Sequence, residues 1–147
     1  MRDTFFKLWV HGIIKIHEQS VSIEETMSDL LYVQIEKNLK IQGCEVKLVN
    51  GISDHIHFLF EQNPLQSVHN TMQYVQKATE QWYRERDFNT IWARFRWQEG
   101  YAAFSVSPSS LEKVESYIAR QKIIHEDIGY EEELKELCRK HEVDVSG

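Results

Sequence analysis

The amino-acid sequence predicts an α+β fold built on a four-stranded antiparallel sheet. Short apolar runs of strand character alternate with longer segments whose apolar residues repeat every three to four positions, in the order β-α-β-β-α-β followed by one more helix. The chain has 147 residues, 41% of them hydrophobic, which suits a single core. This order is the split β-α-β arrangement of the ferredoxin-like fold, so we predict that fold with an additional C-terminal helix.

The first strand and the first helix are predicted near the beginning of the chain. Residues 5–16 are rich in Phe, Trp, Val and Ile and are bounded by polar residues, which is typical of a buried strand. Ser22 and Glu25 match a capping box, and Gly43 supplies a helix stop, so a helix is expected between them. The apolar stripe of this helix consists of Leu31, Ile35 and Leu39.

The next segment predicts a β-hairpin. Residues 44–49 alternate in polarity and end in Asn50-Gly51, the strongest short hairpin signal, after which residues 52–60 resume as a strand. We therefore expect an antiparallel pair of strands joined by a turn at Asn50 and Gly51.

The second half of the chain predicts a helix, a strand and the last helix. Pro64 marks a break before the second amphipathic helix, and residues 101–106 predict the fourth strand. Pro108 ends that strand, and Ser109 with Glu112 forms a capping box that opens the last helix. The stripe residues are Val68, Met72, Val75, Thr79 and Trp82 in the second helix, and Leu111, Val114 and Ile118 in the last.

The charge of the chain is concentrated at its C-terminal end. The formal net charge is -6, and the segment 126–147 contains eight acidic residues against three basic ones, a net -5. Residues 1–125 therefore carry only -1, so the total charge does not exclude a nucleic-acid partner for them. We predict one domain over residues 1–125 and an acidic tail or short helix over residues 126–147.

Several classes of protein are excluded by the sequence. It has no run of about 18 apolar residues, so we expect no membrane insertion. The N-terminus lacks the pattern of a secretory signal, and the expected location is cytoplasmic. Cys44 and Cys138 have no CxxC partner, which indicates free thiols rather than a disulfide framework or a zinc ribbon.

Two histidines in the third strand are candidates for chemistry. Side chains alternate across a strand, so His55 and His57 share one face while Ile56 and Phe58 point to the helices on the other. Imidazole pairs with this spacing bind divalent transition ions, provided that another part of the chain adds a ligand. The alternative is that both are polar residues on the solvated face of the sheet.

A second candidate lies on the last helix. Tyr117 and Gln121 are four residues apart, so they share one helical face, and His125 continues the same line. The alternative is that Tyr117 packs at the edge of the core while Gln121 is solvated.

Together these motifs resemble a known family, the HUH-type single-tyrosine transposases of small bacterial insertion sequences and their relatives, the REP-associated tyrosine transposases. The resemblance rests on His55-Ile56-His57, on Tyr117 followed by Gln121, and on residues 97–107, which resemble the aromatic, glycine-containing strand before the tyrosine helix. It covers residues 5–125 in order and with similar spacing.

The resemblance implies cleavage and rejoining of single-stranded DNA. It implies that His55, His57 and Gln121 hold a divalent ion, Mg²⁺ or Mn²⁺, while Tyr117 attacks the scissile phosphate and forms a 5′-phosphotyrosine link. Because a phenol has a pKa near ~10, Tyr117 needs help from the ion or from a base, which the sequence does not identify.

The implied partners are single-stranded DNA with hairpin-forming palindromic ends and, in dimeric relatives, a second copy of the chain. Basic and aromatic residues interleave after the second helix, a combination that suits backbone and stacking contacts to single strands. An amphipathic helix end with snorkelling arginines is the alternative. The candidate DNA-binding residues are Lys77, Trp82, Arg84, Arg86, Trp92, Arg94 and Arg96.

Three other functions stay open at this point. A domesticated REP-associated transposase would act on chromosomal palindromic repeats. A ferredoxin-like module would bind nucleic acid without catalysis. A metal-dependent nuclease would use activated water instead of Tyr117.

Overall fold

The computed structural model describes residues 3–87 and 94–145. Within them the strands are β1 (Trp9–Lys15), β2 (Glu45–Gly51), β3 (His55–Glu61) and β4 (Ala102–Val106). The α-helices are α1 (Glu25–Ile41), α2 (Val68–Arg86), α3 (Leu111–Ala119), α4 (Gln121–Ile124) and α5 (Tyr130–Lys140).

The strands form one sheet in the order β2-β3-β1-β4, and every neighbouring pair is antiparallel. The split β-α-β connection leaves β3 between β1 and β2, because α1 crosses over to the outer position of β2. The predicted ferredoxin-like α+β fold with an additional C-terminal helix is confirmed.

The two faces of the sheet are covered by different helices. On one face, alternate residues of β3, Ile56, Phe58 and Phe60, pack with Leu31 of α1 and Met72 of α2 in the largest core cluster. Apolar residues that recur every three to four positions along these helices supply their buried stripes. This face holds the main hydrophobic core.

The opposite face is covered by α3, α4 and α5. Leu59 packs with Ile118 of α3, and Phe104 packs with Leu137 of α5, in two smaller apolar clusters. His55 and His57 belong to this face by the alternation of β3, so the elements after β4 enclose them.

Two predicted capping boxes are wrong. Helix α1 has Glu24 at its N-cap without a side-chain cap, so Ser22 lies outside it. Before α3, a 3-10 turn over Pro108–Ser110 makes Ser110 the N-cap, and the hydroxyl of Ser109 contacts that of Ser107 instead of capping. A capping box requires extended backbone directly before the helix, which the 3-10 turn removes.

The predicted hairpin is confirmed, but its turn is shifted. Asn50 and Gly51 belong to β2, where they pair with His57 and Ile56, and the chain turns over residues 52–54. A Cβ atom at Gly51 would lie 2.3 Å from the carbonyl oxygen of His55, so this position requires glycine for a close backbone approach and not for a turn.

Two further expectations concern the cysteines and the membrane. Cys44 and Cys138 are free and buried, as predicted. Among the described residues, no helix combines the length and the hydrophobicity that a membrane crossing requires.

Candidate functional site

The histidine pair of β3 lies in the interior of the protein. His55 and His57 are both 0% exposed, so their interpretation as polar residues on a solvated face is wrong. His11 of β1 shares this face, and its Nε2 lies 2.7 Å from Nδ1 of His57. Burying three imidazoles side by side costs solvation free energy unless each ring nitrogen has a partner, so this cluster is built for more than packing.

Tyr117 and Gln121 approach this cluster from two helices rather than from one. Helix α3 ends at Ala119, Arg120 caps both elements, and α4 begins at Gln121, so the predicted continuous helix is wrong. The two side chains nevertheless reach the same carboxylate, that of Glu133. Although the helix is interrupted at Arg120, Tyr117 and Gln121 are still about one helical turn apart. The four-residue spacing in the sequence therefore identified both residues.

Glu133 of α5 lies at the centre of the site and is 2% exposed. Its Oε2 accepts hydrogen bonds from the hydroxyl of Tyr117 and, at 2.8 Å, from Nε2 of Gln121. Its Oε1 lies 3.0–3.1 Å from three imidazole nitrogens, the Nε2 atoms of His55, His57 and His125. One carboxylate therefore contacts every residue that the sequence had singled out for metal binding and nucleophilic attack, together with His125.

The remaining hydrogen bonds fix which imidazole nitrogens carry protons. Nδ1 of His55 lies 2.6 Å from a carboxylate oxygen of Asp54, and Nδ1 of His125 lies 2.8 Å from the carbonyl oxygen of Ile128. Both partners only accept hydrogen bonds, so each Nδ1 carries a proton. In the neutral rings the Nε2 lone pairs of His55 and His125 then face the Oε1 atom of Glu133.

Gln121 adds another acceptor to the same space. Because its Nε2 donates to Glu133, its Oε1 faces the histidines, 3.3 Å from Nε2 of His55 and 3.0 Å from Nε2 of His125. Nitrogen lone pairs and oxygen atoms repel each other unless a proton or a cation lies between them. The site is therefore organised around positive charge.

The pKa shifts follow from burial and from these contacts. Burial alone would raise the pKa of Glu133, but hydrogen bonds from His55 and His57 hold it far below its usual range, so the carboxylate is charged. Burial opposes the charge on His55, yet its bonds to Asp54 and Glu133 raise its pKa. Burial lowers the pKa of His57, and it lowers that of His11 to about 3 with help from the neighbouring His57.

Tyr117 is a protonated phenol in this arrangement. Burial raises its pKa, and the hydrogen bond to the anionic Glu133 raises it further, while Gln121 acts in the opposite direction. A deprotonated tyrosine oxygen would need extra positive charge nearby, which is the property that a bound cation supplies.

The donor set fits a divalent ion. One ligand atom from each of His55, His57, His125 and Glu133 lies within 4.8 Å of all the others, so the cluster could hold a metal ion. In addition, the far nitrogens of His55 and His125 are bonded to a carboxylate and to a backbone carbonyl, the outer partners that orient metal-bound imidazoles. Three nitrogen ligands and one carboxylate suit Mn²⁺ or Zn²⁺ better than Mg²⁺, which prefers oxygen.

Sequence reasoning missed Glu133 and His11. Glu133 is one of eight acidic residues in segment 126–147, and charge alone does not distinguish it. The position of Glu133 does distinguish it, because Glu133 lies within the apolar stripe of α5. That stripe is formed by Tyr130, Leu134, Leu137 and Cys138. An acidic residue inside an apolar stripe is an indication of a buried partner.

Those candidate DNA-binding residues that the structure describes lie away from the histidine cluster. Helix α2 covers the face opposite the histidines, so the structure does not bring Lys77, Arg84 or Arg86 to Tyr117. Lys77 and Arg84 line a shallow groove with Arg94, and Arg96 lines an adjoining one. Any DNA that contacts these residues and Tyr117 would have to pass around an edge of the sheet.

The individual roles of these residues differ. Nε of Arg84 donates to the carbonyl oxygen of Phe95 at 2.7 Å, so its position is fixed by the fold. Arg86 stacks over the ring of Trp82 with 4.9 Å between its guanidinium carbon and the ring centroid, the arrangement that we considered as the alternative to DNA contacts. Trp92 lies outside the described residues.

Comparison with known proteins identifies a family and two similar folds. The family described as "Transposase IS200 like" matches residues 4–121. A protein from Deinococcus radiodurans R1 that carries a provisional transposase designation aligns with a TM-score of 0.64 and 18% identity, over 82% of this chain and 95% of its own.

A second solved structure is a REP-associated tyrosine transposase bound to a REP hairpin. It aligns with a TM-score of 0.61 and 12% identity, over 85% of this chain and 73% of its own. At these identities the two structures support the fold alone. No curated protein sequence matches this chain.

Proposed function

This chain belongs to the family of IS200-like transposases, and on that premise we propose that it cleaves and rejoins single-stranded DNA with Tyr117 as the nucleophile. The observation that carries the proposal is the convergence of Tyr117, Gln121, His55 and His57 on one carboxylate. A tyrosine hydroxyl beside metal-ligating side chains is the arrangement that nucleophilic attack on a phosphodiester requires.

The proposed reaction conserves the phosphodiester energy. The O–H bond of Tyr117 breaks and its oxygen forms a bond to the scissile phosphorus, the bond from phosphorus to the 3′-oxygen breaks, and that oxygen takes up a proton and leaves as a 3′-hydroxyl. A 3′-hydroxyl of another strand then attacks the 5′-phosphotyrosine, releases Tyr117 and joins the strands. No nucleotide triphosphate is consumed, because the covalent link stores the energy of the broken bond.

The residues of the site have two roles, to hold a metal ion and to orient Tyr117. His55, His57 and Gln121 would hold a divalent ion, Mg²⁺ or Mn²⁺, which polarises a phosphate oxygen when bound. Glu133 orients the hydroxyl of Tyr117 through their hydrogen bond. While α5 covers the site, burial keeps water away from His55 and His57.

The proposed substrate is single-stranded DNA with a hairpin near the cleavage point. Support comes from the similar fold that was solved with a REP hairpin. The grooves lined by Lys77, Arg84, Arg94 and Arg96 also contain glutamates such as Glu80, so they offer only a small excess of positive charge for a DNA backbone. An insertion-sequence enzyme and a domesticated copy that acts on chromosomal repeats would both use this kind of substrate. We also propose that the chain can act as a homodimer.

The test is formation of a covalent adduct. Purified protein is incubated with labelled single-stranded DNA that carries the palindromes flanking its own gene, with Mn²⁺ or Mg²⁺, and analysed on a denaturing gel. We expect a metal-dependent adduct for the wild type and none for Tyr117→Phe. Tyr74→Phe is the matched control, because Tyr74 is an exposed tyrosine of α2 on the opposite side of the sheet.

Each alternative predicts a different result. Binding without an adduct under all conditions would contradict the proposal and favour a binding module. Cleavage that survives in Tyr117→Phe would favour a nuclease that uses activated water.

A further inference from the structure

The chain after α3 adds two side chains to the histidine cluster that the resemblance to the transposase family does not provide for. Glu133 lies on α5 itself, and His125 lies just after α4. Both fall after residue 121, where the family match ends. Their side chains are nevertheless among the best-enclosed polar groups of the site, with 1% exposure for Glu133 and 3% for His125.

We propose that Glu133 and His125 are direct ligands of the metal ion, so that the centre consists of His55, His57, His125 and Glu133, with Gln121 at its edge. Only the statement that this metal centre is the catalytic one rests on the proposed function. The ligand set follows from the contacts themselves.

The first support is the direction of the lone pairs. In its neutral form His125 keeps its proton on Nδ1, bonded to the carbonyl oxygen of Ile128, and presents the lone pair of Nε2 to Oε1 of Glu133 at 3.1 Å. His55, whose ring contacts that of His125, does the same when neutral through its bond to Asp54. When both rings are neutral, two lone pairs converge on one anionic oxygen, an arrangement that a cation between them satisfies.

The second support is the size of the cluster. An ion with bonds of about 2.1 Å to nitrogen and oxygen holds neighbouring ligand atoms about 3.0–3.4 Å apart. Oε1 of Glu133 lies 3.0–3.1 Å from the three Nε2 atoms. Because the four ligand atoms as a set lie within 4.8 Å of one another, binding would draw the imidazole nitrogens closer together around Oε1 while α5 stays docked.

The third support is charge. With neutral imidazoles, the centre defined by the sequence motifs contains no anionic ligand, since His55, His57 and Gln121 are all uncharged. Glu133 neutralises part of the charge of a divalent ion in a place without water. Together with three imidazoles it forms a set that selects transition ions, so we expect Mn²⁺ to bind more tightly than Mg²⁺.

The test measures metal binding directly in the full-length protein. Chelator-treated protein is titrated with Mn²⁺, and the free ion is followed by electron paramagnetic resonance. We expect Glu133→Gln to weaken Mn²⁺ binding at least about 10-fold, because even the loss of an outer partner of a metal ligand costs roughly that much. Glu132→Gln is the matched control, since Glu132 is its exposed neighbour on α5 and carries the same charge.

A spectroscopic measurement separates ligation from a general charge effect. The visible absorption of bound Co²⁺ reports the ligand set, so loss of a bound carboxylate changes the shape of the bands. We expect altered bands for Glu133→Gln and for His125→Asn, and wild-type bands for Glu132→Gln. Wild-type affinity and wild-type bands in both Glu133→Gln and His125→Asn would overturn the proposal.

Folding and activity are followed independently. Circular dichroism in chelator shows whether each variant folds. If Glu133→Gln does not fold, the metal-binding measurements on His125→Asn provide the test. If the ligand variants lose Mn²⁺ but the wild type forms no adduct with DNA, the ligand assignment is supported and the proposed function fails. If adducts form while Mn²⁺ affinity is unchanged in the ligand variants, the ligand assignment fails and the proposed function is supported.

Discussion

At the scale of single residues, His11 connects the site to the stability of the fold. It is 2% exposed and its ring nitrogen Nε2 lies 2.7 Å from Nδ1 of His57. Since burial lowers its pKa to about 3, His11 stays neutral in the folded state at pH values where the unfolded chain takes up a proton.

This difference in pKa predicts acid sensitivity. Between the unfolded pKa near 6.5 and the folded pKa near 3, the unfolded state binds more protons at His11, so stability falls as the pH falls. Between about pH 7 and about pH 5, we expect His11 to lower the free energy of unfolding by about 2 kcal/mol. His57, with a lowered pKa, acts in the same direction, and His55, with a raised pKa, acts against it.

The prediction is tested with His11→Gln, which keeps a hydrogen-bonding group but does not titrate. Urea unfolding in chelator at both pH values should show a smaller loss of stability on acidification than in the wild type, by about 1–2 kcal/mol. His69→Gln, at an exposed position on α2, should behave like the wild type. Equal pH dependence in His11→Gln and the wild type would show that His11 does not hold its proton differently in the two states.

The hydroxyl of Tyr117 should contribute to stability as well as to chemistry. It donates to a charged, buried carboxylate, and such bonds contribute roughly 1.5–3 kcal/mol. We therefore expect Tyr117→Phe to unfold more easily in chelator by about 1–2 kcal/mol while remaining folded. Chemical denaturation measures this, and an unchanged free energy of unfolding would mean that Glu133 finds an equivalent partner.

The same scale shows what the sequence could predict of the site. His55 and His57 were found because alternation along a strand is a local rule, and Tyr117 and Gln121 because a four-residue spacing is local too. Glu133 and His11 were missed, because their meeting with these residues depends on how α5 and β1 dock. His57 and Glu133 are 76 positions apart in the chain, and no local period relates them.

At the scale of elements, α5 decides access to the site. It packs Leu137 against Ile13 and Phe104, and at its start Lys15 lies over the ring of Tyr130, 4.9 Å from the centroid. While α5 is docked, the histidines have no exposed surface. Tyr117 itself is partly exposed, so we expect a phosphate to reach the histidines past Tyr117 when the end of α5 that Leu137 anchors shifts while Glu133 keeps its contacts.

Weakening the docking of α5 should consequently change its dynamics first. Leu137→Ala removes buried methyl groups, which costs roughly 2–4 kcal/mol. Because α5 lies outside the four-stranded sheet, we expect it to open on its own, with faster hydrogen exchange across α5 and unchanged exchange in α2. At saturating Mn²⁺ the DNA adduct should also form several-fold faster than in the wild type.

A matched control is available on the exposed side of the same helix. Lys135→Ala changes a solvent-facing residue of α5 and should leave both hydrogen exchange and adduct formation near wild-type values. If Leu137→Ala accelerates exchange but not adduct formation, opening of α5 does not limit the reaction.

Element boundaries show where local sequence rules fail. The order and type of the elements from β1 to β4 were predicted, since apolar periodicity extends over many residues, whereas the single last helix that was predicted is divided into α3 and α4. Their ends were less predictable, because tertiary contacts decide them. The 3-10 turn before α3 displaces the cap from Ser109, and the close packing of Gly51 against the backbone at His55 extends β2 through the expected turn.

At the scale of the whole molecule, the uneven charge distribution should control DNA binding. Segment 126–147 carries a net -5 and contains α5, which covers the site, whereas the groove on the other side of the sheet is lined by Lys77, Arg84 and Arg94 together with two glutamates. DNA that approaches Tyr117 therefore meets repulsion from the acidic segment. Repulsion between exposed charges is screened by salt over about 8–10 Å.

Removing two of these charges tests that view. Glu126 and Asp127 are exposed and directly follow His125, so the double variant Glu126→Gln/Asp127→Asn should bind single-stranded DNA roughly three-fold more tightly at low salt. The gain should vanish near 0.5 M salt, where the screening length is a few ångströms. Fluorescence anisotropy with labelled DNA over a series of salt concentrations provides the measurement.

The control removes the same charge from the opposite side of the molecule. Glu25→Gln/Asp29→Asn alters exposed residues of α1, which packs on the sheet face away from the histidines. If DNA binds at the site covered by α4 and α5, this pair should gain much less affinity than the pair beside His125. Equal gains in DNA affinity would indicate that only the total charge matters. A larger gain in the α1 variant would locate the DNA on the face of α1 and α2, away from the histidine cluster.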